Sequence, residues 1–309
     1  MAIAQERIMK YKQTIVRELA WLIGSAPLML EHGYKGDYKT LDQAWFDALF
    51  ESSLDLFESW DADLDLMTDL REKLSGRLLG KRFEGFLEFF FDQHPRFRIE
   101  ASGFQLAGNG RTVGEIDFIV RDLAVDEVFH LEVACKFYLS FKNSPSWNLW
   151  VGPNGKDRLD IKMNKLSVQL ARLGTPEGKT ALEQMNLSAP LPVLLMKGGF
   201  FHHLEKIRVA KRPKFSNPGY ESGWWIKLRE LNQLLQNRGK WIALQKDAWM
   251  CPQRFESDEN LLRSDQLEAY LVDHFTRHKH AVVLAQLIES SQGWDEVSRG
   301  FVVRNSWPD

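Results

Sequence analysis

The sequence is short of cysteine, of net charge and of long apolar runs, and each shortage excludes something. Its two cysteines, Cys135 and Cys251, cannot build a disulfide framework or a zinc-finger pattern. With Cys135 on the expected core face of a strand, a reduced and buried thiol is the simple reading. A formal net charge of −2 exerts no global pull on a polyanion, so a nucleic-acid site has to come from local clustering of Lys and Arg. No apolar run approaches the roughly 20 residues of a membrane span. Met1 to Arg17 carries Glu6, Arg7, Lys10, Lys12 and Arg17 without the apolar segment of a secretory signal, so the expected location is cytoplasmic. A glycine-rich phosphate loop, a G-x-S-x-G elbow and a cysteine nucleophile with an evident partner are also missing. Those gaps argue against an ATPase, a dinucleotide enzyme and a serine hydrolase.

What is present is a chain of 309 residues, enough for one large domain or two modest ones. Its 11 Trp and 20 Phe imply a large aromatic core or aromatic binding surfaces. Apolar residues at helical spacing predict helices over 15–23, 44–60 and 74–91, the last with Leu79, Phe83, Phe86, Leu87 and Phe90 as its buried stripe. Glu84 borders that stripe. From Glu51 to Asp69 there are seven acidic residues and no basic one, read as a solvated helix face rather than a docking surface. A strand is expected over 97–106 and a turn at Gly108-Asn109-Gly110. Further on, a helix over 156–173 has Leu159, Met163, Leu166 and Leu170 as its seam, with Arg158, Lys162, Lys165 and Gln169 on an adjacent stripe. A strand over 192–196 is expected to end at Lys197-Gly198-Gly199. Strands follow over 224–228 and 241–244, then a long helix near 261–287.

The most informative stretch is Gly114-Glu115-Ile116-Asp117-Phe118-Ile119-Val120 followed by His130-Leu131-Glu132-Val133-Ala134-Cys135-Lys136. Period-two alternation in both runs predicts a β-hairpin with its ionisable groups on one face. A turn centred near Ala124-Val125 sets Asp117 opposite Glu132, with Glu115 diagonal to it. Two facing carboxylates repel, so one takes up a proton or a cation sits between them. The bland alternative is a half-exposed hairpin whose polar face is merely solvated.

Helix, three antiparallel strands, helix and strand, with GEID, then Glu132 fifteen residues after Asp117, then a lysine, resemble the PD-(D/E)XK motif of the restriction-endonuclease-like superfamily. More narrowly, Gly114 to Tyr138, Gly152 to Lys162 and Gly300-Phe301-Val302-Val303 resemble the bacterial domain of unknown function 1853 family, a resemblance that brings no activity with it. The expected fold is thus α/β. It has a restriction-endonuclease-like core over 74–200, an N-terminal helical region over 1–73 and a C-terminal α/β extension over 201–309 packed on the core.

The resemblance implies a metal-dependent nuclease acting on DNA, or less readily RNA. Asp117 and Glu132 would hold Mg²⁺ (or Mn²⁺) with the Val133 carbonyl, and Glu84 would complete the ligand set. Lys136 would orient or deprotonate the nucleophile. Arg158, Lys162 and Lys165 would hold nucleic-acid backbone, with Glu115 and Gln169 in support. One departure stands out. The usual motif has its glutamate and lysine two residues apart, whereas Glu132 and Lys136 are four apart. That displaces the lysine by roughly 7 Å along a strand. A bulge at Ala134-Cys135 would bring it part of the way back. The other reading of the resemblance is a catalytically inactive module of the same fold that binds nucleic acid or a protein partner.

Weaker signals remain. Lys206, Arg208, Lys211, Arg212 and Lys214, with Phe215 and Tyr220 nearby, could hold nucleic-acid backbone, although a solvated loop is the plainer reading. Trp147, Trp150, Trp224 and Trp225 could stack on bases, with core burial expected for most. His274, His278 and His280 are expected within the late helix, without the glutamate of a zinc-protease motif, and His202-His203 carries no more.

Overall fold

The alternation over 114–136 forms the antiparallel pair it predicts. The fold around that pair is taken from a computed structural model, which describes residues 2–31, 38–39, 41–108, 111–235 and 239–309. The chain opens with α1 (Ala2–Met9), α2 (Thr14–Gly24), α3 (Gln43–Ser52), α4 (Leu54–Ala62) and α5 (Leu64–Leu74). Then come α6 (Leu79–Gln93), β1 (Phe97–Gly108), β2 (Arg111–Asp122), β3 (Glu127–Ser140), β4 (Trp150–Val151), α7 (Leu159–Leu170), α8 (Pro176–Gln184) and β5 (Leu191–His203). The remainder is β6 (Glu221–Lys227), α9 (Asn232–Leu235), β7 (Lys240–Leu244), β8 (Arg254–Phe255), α10 (Ser264–Arg277), β9 (Val282–Ser290) and β10 (Gly293–Val303). Asn109 and Gly110 of the expected turn lie outside the described residues.

The strands make one mixed sheet of 10 strands in the order β1-β2-β3-β5-β6-β10-β9-β7, with β4 on β3 and β8 on β10. β3, β5, β6 and β10 run parallel, and the pairs on either side of them are antiparallel. The architecture is α/β in three layers. On one face Phe118, Val120, Phe129, Leu131, Val133 and Cys135 pack in one core with residues of α2, α3, α4 and α6. On the other, α7 seats Leu159, Met163, Leu166 and Leu170 against Ala134, Tyr138, Leu194, Met196 and Phe200. α10 covers the far end with Leu267 and Leu271. Each such large side chain taken fully out of water stabilises the fold by about 1.5–3 kcal/mol.

Several expectations are corrected, each for a physical reason. The helix expected over 44–60 is two helices. Ser53 breaks it, its hydroxyl donating to the Leu49 carbonyl at 2.6 Å in place of continued backbone pairing. The helix expected from Leu74 begins at Leu79, because Leu74 closes α5 and Gly76 follows at φ 67. α7 runs only from Leu159 to Leu170. Residues before it form a bridge between Val151 and Arg158 and a turn in which Gly152 N–H donates to Asp157 O at 2.8 Å.

Lys197-Gly198-Gly199 does not end β5. Gly198 (φ 126) lets β5 run on beside β3, where a Cβ would lie 1.9 Å from the Lys136 carbonyl oxygen. The boundary drawn at residue 200 therefore falls inside a strand, and the C-terminal region extends the same sheet. The late helix over 261–287 is α10 followed by β9. Val282 and Leu284 pack on one face of β9 while Val283, Ala285 and Leu287 pack on the other, so its apolar run shows no period. His278 and His280 consequently lie beyond the helix.

The acidic face over 51–69 is partly used within the fold. Glu51 pairs with Arg7, Glu58 with Lys10 at 3.1 Å, and Asp61 accepts the backbone N–H groups of Lys12 and Gln13 at 3.0 and 2.8 Å. Among the described residues no helix is long and apolar enough to cross a membrane.

The helical layer is tied together by a buried ion pair, Glu18 of α2 with Arg82 of α6 at 2.6 Å. Burial pushes the Glu18 carboxyl up to about 7, against the pull of Arg82. Removing one partner strands the other, so Arg82→Leu should destabilise by about 3–5 kcal/mol in urea unfolding. The double variant Glu18→Leu/Arg82→Leu should recover most of that loss. A single variant as stable as wild type would show that the pair carries no such constraint.

Candidate functional site

The ladder between β2 and β3 runs from Asp122 opposite Glu127 to Phe118 opposite Leu131 and stops there. At the next position Asp117 turns its side chain into the gap, and its Oδ2 accepts the Val133 N–H at 2.9 Å. A carboxylate thus takes a bond that a backbone carbonyl would hold in a continuing sheet. The strands part beyond this point into a cleft of about 440 Å³ bordered by α6 and α7. The N–H and C=O of a strand residue point to the same side, so the Val133 carbonyl faces the same opening.

Glu84, Glu115 and Asp117 supply the carboxylates of this cleft, and Lys81, Lys162, Lys165 and Arg172 its cations. Asp117 is pushed up to about 6 by burial and then by the charge of Glu132, with the Val133 N–H and Lys162 opposing. Glu84 is pushed up by burial, against its 2.6 Å pairing with Lys81. Lys81 also reaches Glu115 at 3.5 Å, and Glu115 accepts from Gln105 at 2.7 Å. Lys162 is pushed down by burial and by the neighbouring ammonium groups of Lys136 and Lys165. Gln169 lines the cleft, and its buried Oε1 has no hydrogen-bond partner among the described residues.

Glu132 is near Asp117 but fully buried, and it does not line the cleft. Its Oε1 lies 3.1 Å from Nε2 of the equally buried His130. Burial pushes Glu132 up to about 7, with Arg172 and Lys162 drawing it down, and holds His130 down at about 4. A neutral His130 makes this contact a hydrogen bond rather than an ion pair. The solvated hairpin face considered from the sequence is thereby excluded, since the polar side of β3 lies under α7.

Lys136 does not line the cleft. Its Nζ pairs with Asp157 at 2.6 Å. The bulge that would have brought it back is absent, because β3 pairs with β5 without interruption from Phe129 opposite Leu191 to Leu139 opposite Phe201. Arg158 likewise stays apart, bound to Asp160 through two bonds of 2.9 and 2.7 Å just before α7.

The sequence reading missed three groups: Lys81, His130 and Arg172. Gly114 carried a signal for the last. The Arg172 guanidinium, donating to the Glu115 carbonyl at 3.0 Å, packs where a Gly114 Cβ would lie 2.6 Å away.

No group of three or more His, Cys, Asp or Glu converges on one metal position among the described residues. The rings of His274, His278 and His280 lie 4.7–5.1 Å apart between centroids, and His274 Nε2 meets the His280 carbonyl at 3.0 Å. His202 meets the Tyr220 hydroxyl and His203 meets Glu230. Cys135 and Cys251 are free and buried, and burial raises both thiols.

Replacing Glu132 by Gln leaves Asp117 as the one carboxyl of the pair that titrates. Its midpoint should then lie between its ordinary 3.8 and about 6, since burial, the larger cause of its rise, persists. Carbon-detected NMR titration of labelled Asp reads this directly, and a midpoint at 3.8 would disprove the effect of burial.

No curated protein and no solved structure matches the chain. The family model described as Domain of unknown function (DUF1853) matches residues 17–303. By that match the chain belongs to the DUF1853 family.

Proposed function

We propose that the chain is a metal-dependent nuclease that hydrolyses phosphodiester bonds in DNA, with RNA the alternative substrate, on a restriction-endonuclease-like core. One observation carries this reading: Asp117, Glu84 and Glu115 share an open cleft with Lys162, Lys165 and Arg172. A phosphodiester suits the cations and a divalent ion suits the carboxylates. The order α6, β1, β2, β3, α7, β5 and the parting of β2 from β3 at Asp117 add support.

The residues present fit a hard divalent cation. The cleft offers carboxylate oxygens and the Val133 carbonyl, with no thiol or imidazole among the described residues that line it. Mg²⁺ takes one or two carboxylates and keeps several waters, so it needs no third converging group. Asp117 would hold it, with Glu84 or Glu115 and the Val133 carbonyl, and Mn²⁺ could substitute. When bound, the ion supplies charge neutralisation and a polarised water at the scissile phosphate.

The remaining work falls to the chain. Arg172 and Lys165 would hold the non-bridging phosphate oxygens. Lys162, with its ammonium already pushed down, would orient the attacking water or accept its proton, the role that the resemblance assigns to Lys136. Gln169 would fix the diester through its amide. Glu132, bonded to His130, would position Asp117 from behind rather than touch the substrate.

A second reading, a module of the same fold that binds nucleic acid without cutting it, is favoured by the withdrawal of Lys136 to Asp157. Cleavage assays on plasmid, single-stranded and branched DNA separate the two. The nuclease reading expects Mg²⁺- or Mn²⁺-dependent cutting that Asp117→Asn abolishes. It further expects Lys162→Ala to slow cutting by about 10²-fold or more, while Lys136→Ala stays near wild type. Wild type and Asp117→Asn behaving alike on every substrate would refute it.

A further inference from the structure

The loop between β5 and β6 carries a second feature, outside the cleft. Residues Leu204–Val209 form a short 3-10 turn, and Lys206, Arg208, Lys211, Arg212 and Lys214 all stand exposed along the loop. None of the five has a carboxylate within ion-pair distance among the described residues. The loop is nevertheless anchored. Asn143 donates to the Val209 carbonyl at 3.2 Å and accepts the Lys211 N–H at 2.7 Å. Lys214 N–H donates to Pro145 O at 2.9 Å, and Trp147 Nε1 donates to Lys214 O at 2.7 Å.

At its end Phe215 adopts φ 61, a left-handed conformation that a bulky side chain rarely takes. The backbone on both sides is pinned. Besides the Lys214 bond, Leu30 N–H donates to Phe215 O at 2.9 Å and Met29 bridges Ser216. Strain of this kind persists only where the surroundings enforce it. Its result is an aromatic ring 52% exposed at the surface. Trp150, Trp224 and Trp225 are buried in the core, but Trp147 is only partly covered and meets Phe215 edge to face, with centroids 6.0 Å apart. Between them lies a hollow of about 340 Å³, completed by Asn148, Asp160 and Lys214. Arg158 already pairs with Asp160, so that carboxylate adds little repulsion.

We infer that this corner is a subsite for single-stranded nucleic acid, with one unpaired base in the hollow against Phe215 and Trp147 and flanking phosphates on Lys211, Arg212 and Lys214. Sequence-independent strand binding uses this pairing of aromatic platforms with backbone cations. The polar side chains of Asn148 and Asp160 in the hollow suit a base edge and oppose an acyl chain, which sets a nucleic acid above an anionic membrane. The inference rests on the nuclease reading in one respect, that the bound strand continues into the cleft. Asp160 of the hollow and Lys162 of the cleft stand two residues apart on α7 and leave opposite sides of it, so a strand joining the two has to cross the first turn of that helix.

The test is fluorescence anisotropy of the full chain with labelled dT15 and rU15 in EDTA, so that no cleavage interferes. Phe215→Gly relieves the left-handed strain and removes the ring. The expectation is a higher Tm together with a Kd raised about ten-fold. A merely structural Phe215 would not separate the two. Lys211→Ala/Lys214→Ala should flatten the slope of log Kd against log salt by about 1.4. The dT15 and rU15 arms show which sugar the strand carries. An unchanged Kd in Phe215→Gly overturns the inference, as does binding of anionic phosphatidylserine vesicles with no binding of either oligonucleotide. If only Lys162→Ala/Lys165→Ala weakens binding, the subsite fails and the nuclease reading stands. If wild type cuts nothing while Phe215→Gly still weakens binding, the nuclease reading fails and the subsite stands.

Discussion

The constraint on which the rest depends is that β3 is buried on both faces. It lies between β2 and β5 inside the sheet, with the N-terminal helices on one side and α7 on the other. A strand so enclosed has no water for His130 and Glu132, which are therefore hydrogen-bonded to each other. It also has to find a partner for the Val133 N–H where β2 leaves it, and Asp117 supplies one. The cleft and its most perturbed carboxylates thus have one origin, the parting of two strands under a helix.

The charges around that parting are balanced as a group more than as pairs. Lys81 lies between Glu84 and Glu115, while Lys162 and Arg172 moderate Asp117 and Glu132 from α7 and the turn after it. The exposed pairs of Lys81 among them contribute little to stability. Their effect is on the protons, holding carboxyl groups near neutrality that burial alone would push further up. That poise, with opposite charges across an open cleft, is the kind of environment in which functional groups concentrate.

Legibility from sequence followed the environment of each segment. The pair β2 and β3 was readable because one face meets a core and the other carries polar groups, and its register came out with Phe118 opposite Leu131. The seam of α7 was readable for the same reason. β9 was misread as a helix because it packs on both faces and leaves no period to find. β5 was cut short because glycines that usually end an element here admit a neighbouring backbone. Periodicity placed Asp117, Glu84, Lys162, Lys165 and Gln169 on their strand and helices, and the resemblance made them candidates. Lys136 was carried over by motif, and the unbroken pairing of β3 with β5 leaves it beside Asp157 instead.

The sequence by itself determined the α/β class, the hairpin register and the carboxylate of Asp117 beside that of Glu132, because these follow from local alternation and turn position. Only the tertiary structure decided which cations face them. Lys81, Lys162 and Arg172 come from segments dozens of residues away, and their arrival depends on where the sheet opens and how α7 lies across it. Local pattern sets which way a side chain points from its own strand or helix. Which other side chain it meets there is set by packing between elements, and no period in the sequence records that.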